Sequence, residues 1–126
     1  MNHKIKLTRC LFYFSLFFLF LIYLLSGEIL EFQKNSEEKT LVGGSIKHFF
    51  FFTYLTILGL VSYIDKNFFI KTSIFLFILS ILIEFLHLYV PYREFSLFDI
   101  LANASGFVLG FFIITLTKKY IKKWYE

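Results

Sequence analysis

Residues 68–90 read FFIKTSIFLFILSILIEFLHLYV, and this stretch decides the fold. It is a nearly continuous apolar run, as long as the segment of about 20 residues that an α-helix needs to cross a bilayer. Its apolar residues do not alternate with polar ones as in a half-buried strand, and unpaired strand edges cannot face lipid. We therefore predict a membrane-spanning helix over 68–90, with Glu84 and His87 near its end.

Three further runs of similar character lie at 8–27, 46–64 and 97–117. The composition agrees, because 58% of the 126 residues are hydrophobic, 23% are aromatic and the mean hydropathy is +0.72. Soluble domains contain only about 45–50% apolar residues. The sequence thus predicts an all-α integral membrane bundle of four transmembrane helices, forming a single domain over residues 1–126 without a separate soluble domain.

The basic residues predict the orientation of this bundle. Nine of the 13 Lys and Arg residues lie in the N-terminal segment, the 65–71 loop and the C-terminal segment, and the other four lie in the two remaining connections or close to them. The positive-inside rule then places both termini in the cytoplasm. Topology also accounts for the net charge of +4, so we expect no nucleic-acid partner.

An alternative for the first apolar run is a cleaved signal peptide, since it follows a basic start. Its apolar core, 11–25, is at the long end for such a peptide, and no small-residue cleavage site follows. We therefore expect it to remain as a transmembrane helix.

Helical geometry predicts that the polar residues of the bundle converge. At 100° per residue, Asp99, Asn103, Gly106 and Gly110 fall within about 60° of arc on one helix face. Two other faces are similarly polar or lined by small residues: Ser73, Ser80, Glu84 and His87 in the third helix, and His48, Gly59 and Ser62 in the second. Lipid solvates neither charge nor exposed amide, so we expect these faces to contact one another.

The ionisable groups also share a depth in the membrane. Each lies near the same end of its helix, which is the outer end in the predicted orientation. An Asp at a helix centre costs about 2.5–3.5 kcal/mol on insertion scales, so such groups are by default candidates for function. The prediction is an outward-facing polar pocket whose ligand-binding residues are His48, Glu84, His87, Arg93, Asp99 and Asn103. Within it, Glu84 and Asp99 are the candidate catalytic residues.

Less specific interpretations remain for several of these residues. Gly106-x-x-x-Gly110 is typical of close helix packing, and we assign both glycines to that role. Asn103 is also explained by a hydrogen bond across the bundle, and His48 by an interfacial position. Glu84-x-x-His87 places a carboxylate and an imidazole on one helix face, but a single such motif is common by chance. We predict no metal and no cofactor.

The motif residues resemble those of the VanZ-like membrane protein family. The resemblance covers about residues 44–112, and the more specific part is IEFLHLYVPYREFSLFDILANASGFVLG. It includes His48, Glu84, Pro91, Arg93, Asp99, Asn103, Gly106 and Gly110. The chain departs from the family pattern at Gly44-Ser45, where the family has Asp-Lys, and at His87, where it has Gln.

The resemblance implies a small multi-pass protein of the bacterial plasma membrane whose molecular activity is unsettled. The family's namesake is linked to teicoplanin resistance, a role that is not carried to this chain by analogy. We expect the pocket to bind a lipid-linked or cell-envelope head group, so the partners are membrane lipids and a lipid-linked cell-wall precursor. The alternative is a membrane-embedded enzyme that acts on a lipid head group by acid–base chemistry. The sequence leaves open whether the chain is an enzyme, and does not indicate the oligomeric state.

Overall fold

The computed structural model describes residues 3–34, 41–64, 66–90 and 95–125. Four helices in these ranges are long and apolar enough to cross a membrane, which confirms the predicted all-α bundle. They are α1 (His3–Lys34), α2 (Leu41–Ser62), α3 (Lys66–Leu86) and α4 (Leu97–Tyr125), with a 3₁₀ turn (His87–Tyr89) after α3.

The helices differ in length from the predicted spans. Helix α1 continues beyond 27 to Lys34, and α4 continues beyond 117 to Tyr125. Helix α2 begins at Leu41, before the predicted start at 46, so the Gly-Gly-Ser stretch 43–45 is helical. Hydropathy reports only the part of a helix that lies in hydrocarbon, whereas Glu, Lys and Gln have good helix propensity and extend a helix into water.

Helix α2 lies at the centre of the bundle and packs against α1, α3 and α4. Two glycines of α4 permit its close approach to α2. A Cβ atom at Gly106 would overlap with the backbone oxygen of Phe49, and one at Gly110 would lie 2.8 Å from Cβ of Thr56. A larger residue at either position would therefore force α4 away from α2. The main core cluster of buried apolar side chains is Phe12, Leu19, Phe52, Leu55, Leu76, Leu79, Ile83 and Phe107.

Antiparallel helices give the bundle two chemically different ends. We call the end that holds the start of α2, the 3₁₀ turn and the start of α4 the site end. The opposite end holds the start of α1, the end of α2, the start of α3 and the end of α4, and we call it the terminal end. The buried ionisable side chains of the described residues, Glu84 and His87, lie at the site end, together with the buried amide of Asn103.

Candidate functional site

Five of the six predicted ligand-binding residues lie together at the site end. They are His48 of α2, Glu84 of α3, His87 of the 3₁₀ turn, and Asp99 and Asn103 of α4. The sixth, Arg93, lies outside the described residues, as does Pro91. The three helix faces that carry polar residues are therefore turned toward one another, and we call the five described side chains with Ser45 and Ser96 the polar network.

The centre of the polar network is a buried carboxylate–imidazole pair. Glu84 has 0% of its surface exposed and His87 has 3%. Nδ1 of His87 lies 2.9 Å from Oε1 of Glu84, a contact that follows from their i, i+3 spacing at the end of α3. An ionised carboxylate can only accept hydrogen bonds, so Nδ1 of the imidazole is then the donor.

The same carboxylate oxygen fixes the start of α4. Oε1 of Glu84 accepts a hydrogen bond of 3.1 Å from the backbone N–H of Ser96, the residue before α4. Ser96 caps the helix, because its hydroxyl oxygen accepts the backbone N–H of Asp99 at 3.4 Å. Asp99 stands in the first helical turn, where the helix dipole favours a negative charge. Glu84 thus joins the end of α3 to the start of α4.

A second set of hydrogen bonds joins α2 to α4. The hydroxyl of Ser45 donates to Oδ1 of Asp99 at 2.6 Å. Nδ1 of His48, one turn further along α2, lies 3.1 Å from Oδ1 of Asn103, and Nε2 lies 4.0 Å from Oδ2 of Asp99. One imidazole therefore contacts two polar residues that are one turn apart on α4.

The two histidines connect these halves. The rings of His48 and His87 are nearly perpendicular, with centroids 6.4 Å apart. The hydrogen bonds described above and the contact between the two imidazole rings thus form one polar network across α2, α3 and α4. Such a set of acids and imidazoles is chemically able to bind a polar group or to pass a proton between neighbouring side chains.

Glu84 and Asn103 of the polar network have unused hydrogen-bonding capacity within the described residues. Oε2 of Glu84 and Nδ2 of Asn103 are both buried, and neither has a hydrogen-bond partner in residues 3–34, 41–64, 66–90 or 95–125. Most buried polar atoms in proteins are paired, and one that is not calls for an explanation. One is an acceptor and the other a donor, so a ligand that satisfied both would need groups of each kind.

The geometry does not favour a metal site in the described part of the chain. No group of three or more His, Cys, Asp or Glu side chains is arranged there to hold a metal ion. The Glu84-x-x-His87 motif is instead used for a hydrogen bond between its own two members.

Two members of the polar network, Ser45 and Ser96, are not among the predicted site residues. The sequence carried a signal for each. Ser96-x-x-Asp99 has the spacing of an N-terminal capping motif, and Ser45 lies three residues before His48 on the same helix face. Serine is so frequent in membrane helices as a packing residue that neither pattern was decisive.

A comparison with protein families adds independent information. The model of the VanZ/LLP1 family matches residues 5–118, which include all of α2 and α3 and most of α1 and α4. The matched range is longer than residues 44–112, the range over which the motif residues resemble the family. Neither a curated protein nor a solved structure shows significant similarity to the chain.

Proposed function

The chain belongs to the VanZ/LLP1 family, and from this premise we propose that it binds a lipid-linked or cell-envelope head group at its site end. The protein would act as a multi-pass protein of the bacterial plasma membrane with both termini in the cytoplasm. The site end would then face outward, toward the leaflet in which lipid-linked cell-wall precursors are used.

The observation that carries the proposal is the unused hydrogen-bonding capacity of a fully buried acid and amide. Glu84 and Asn103 are each 0% exposed in a bundle whose surface is otherwise rich in Phe, Leu and Ile. Burying these two polar side chains in apolar surroundings costs free energy, and apolar side chains at the same positions would pack without that cost. A ligand that hydrogen-bonds Oε2 of Glu84 and Nδ2 of Asn103 would offset that cost.

The chemistry of the polar network suggests the kind of head group. Oε2 of Glu84 would accept a hydrogen bond from a hydroxyl, amide or ammonium group, and Nδ2 of Asn103 would donate to a hydroxyl, carbonyl or phosphate oxygen. Lys47 is exposed on the first part of α2, and Arg93 lies in the connection before α4. Both would attract a phosphate or carboxylate at the rim of the site.

Lipid co-purification tests this proposal. The protein is extracted in a mild detergent, and bound lipids are identified by mass spectrometry. We expect a specific polar lipid to co-purify with the wild type and to be lost from Asn103→Ala. The matched control is Ser105→Ala, an exposed position on the same helix, which should retain the lipid. Equal recovery from all three proteins would contradict binding at the polar network.

A direct binding assay tests the role of the rim. Membrane-anchored wall precursors are added to the protein in lipid nanodiscs, and affinity is compared between the wild type and Arg93→Ala. We expect weaker binding by about tenfold, which corresponds to the loss of one charge-assisted hydrogen bond. Unchanged affinity would remove Arg93 from the proposed site.

The predicted orientation has its own test. Cysteine is introduced at Lys47 or Lys123, both exposed, in a Cys10→Ser background, and intact cells are treated with a membrane-impermeant thiol reagent. We expect labelling of Lys47→Cys only. Labelling of Lys123→Cys instead would place the site end in the cytoplasm and exclude an external ligand.

The Glu84–His87 pair supports a second candidate function, acid–base catalysis on a lipid head group. A carboxylate held in place by an imidazole can act as a general base, and Glu84 or Asp99 would serve as that base. The sequence contains no nucleophile motif that would add covalent catalysis. Turnover of a head-group substrate that stops in Glu84→Gln, with the protein still inserted, would support an enzyme. Full activity in that variant would exclude base catalysis by Glu84.

A further inference from the structure

The terminal end carries a dense set of cations, which we call the basic collar. Its described side chains are Lys4, Lys6, Arg9, Lys71, Lys118, Lys119, Lys122 and Lys123. No acidic residue within the described ranges lies at this end, and Asp65 and Glu126, which adjoin it in sequence, are outside those ranges. The collar therefore presents a positive field at one end of an apolar bundle.

Aromatic rings and backbone carbonyls hold one cation of the collar between α1 and the α2–α3 connection. Nε of Arg9 donates to the backbone oxygen of Ser62 at 3.1 Å, and its guanidinium lies 4.8 Å from the ring centroid of Tyr63. The Tyr63 hydroxyl forms a hydrogen bond with that of Tyr13. Burial and the Tyr13 hydroxyl raise the pKa of Tyr63 and Arg9 opposes this, so the phenol is neutral at physiological pH.

Two lysines make similar contacts between other helices. Nζ of Lys4 donates to the backbone oxygen of Trp124 at 3.1 Å and lies 4.3 Å from its ring centroid, which joins α1 to α4. Nζ of Lys118 lies 3.7 Å from the ring centroid of Phe69, which joins α4 to α3. The contacts hold cations of different helices at the same end of the bundle, although like charges repel one another.

The collar lies at the depth of lipid head groups. Helix α4 has 29 residues, so at 1.5 Å per residue it is about 43 Å long, against about 30 Å for the hydrocarbon core. Its last turns therefore extend into the interface, and Tyr120 and Trp124 are exposed there, as is typical of interfacial aromatic residues.

From these observations we propose that the basic collar binds the head groups of anionic phospholipids and that this binding fastens α1 to the bundle. Helix α1 would gain from such a contact, because 11% of its membrane span is buried in the bundle, against 39% for α3. A phosphodiester between the start of α1 and the end of α4 relieves the repulsion between their cations. This site is at the opposite end from the polar network and does not depend on the proposed function.

The single tryptophan allows a direct test, because Trp124 is part of the contact with Lys4. The full-length protein is placed in nanodiscs of phosphatidylcholine that contain a small fraction of either brominated phosphatidylglycerol or brominated phosphatidylcholine. Bromine quenches a nearby indole, so the ratio of the two quenching curves measures the preference for the anionic lipid. We expect a clear preference for phosphatidylglycerol that falls with ionic strength.

Charge-neutral and charge-keeping variants separate the electrostatic effect from the packing of the collar. In Lys4→Gln/Arg9→Gln/Lys118→Gln the preference should fall by up to about fivefold for each lost cation. In Lys4→Arg/Arg9→Lys/Lys118→Arg it should persist. Equal quenching of the wild type by the two lipids, or an unchanged preference in the neutral variant, would overturn the proposal. So would displacement of the anionic lipid by inorganic phosphate at matched ionic strength.

Discussion

At the site end the ionisable side chains of the polar network are buried or partly buried and contact one another. At the terminal end most ionisable side chains are exposed, and several lie over aromatic rings or donate to backbone carbonyls. Glu84 and His87 are almost completely inaccessible and joined at 2.9 Å. Lys4 has an exposed side chain and lies 4.3 Å from the ring of Trp124. Both ends place charged side chains on an apolar bundle, but different factors determine how much those side chains contribute to stability. Buried groups depend on the geometry of their partners, and exposed groups depend on the surrounding ions and lipids.

The comparison predicts that the largest loss of stability comes from removing the buried acid. Glu84→Ala should lower the free energy of unfolding by about 3 kcal/mol, because it leaves both the His87 imidazole and the Ser96 N–H without their acceptor. Glu84→Gln should cost less, since its amide oxygen can still accept. Reversible unfolding in mixed micelles, followed by circular dichroism, measures both. The control is Leu82→Ala on the exposed face of α3. Equal losses in Glu84→Ala and Leu82→Ala would contradict a structural role for the buried pair.

A smaller loss of stability is expected when a single methyl group is added between α2 and α4. Gly106→Ala should cost about 2 kcal/mol, because the added Cβ would overlap with the backbone oxygen of Phe49, which cannot rotate aside. Ser105→Ala on the same helix should have little effect. The same unfolding assay gives both values. A stable Gly106→Ala protein would show that α4 can move away from α2 without disturbing the site end.

The hydrogen bond between His48 and Asn103 should contribute less again. We expect each alanine variant to lose about 1 kcal/mol, with a coupling of about 0.6 kcal/mol in a double-mutant cycle, the typical value across membrane helices. A coupling indistinguishable from zero would mean that this pair does not join α2 to α4 energetically. The positions would then be available to a ligand without cost to the fold.

The existence and type of the helices could be predicted from sequence because bilayer thickness fixes the length of an apolar run. Their ends could not, since no such limit applies outside hydrocarbon. Helix α1 therefore continues to Lys34 through polar residues that hydropathy assigns to a connection. Helix α2 likewise begins at Leu41, before the predicted start at 46, because glycine weakens a helix without ending it.

Much of the candidate site followed from helical periodicity, which placed Glu84 with His87 and Asp99 with Asn103 on polar faces. Periodicity cannot give the axial register of one helix against another, and that register decides which atoms meet. The contact of Ser45 with Asp99 and the lack of partners in the described residues for Oε2 of Glu84 both depend on it.

The smallest effect is expected at the terminal end and should depend on conditions in a way that the others do not. In an uncharged detergent, Arg9→Gln should cost only about 0.5 kcal/mol, since it removes a cation–π contact and a hydrogen bond at a partly exposed site. Adding phosphatidylglycerol should stabilise the wild type more than Arg9→Gln, and salt should reduce that difference. The loss of stability in Glu84→Ala should respond to neither lipid nor salt, because Glu84 and His87 are buried. If both variants responded equally to lipid and salt, the two ends would not differ in the way that their burial indicates.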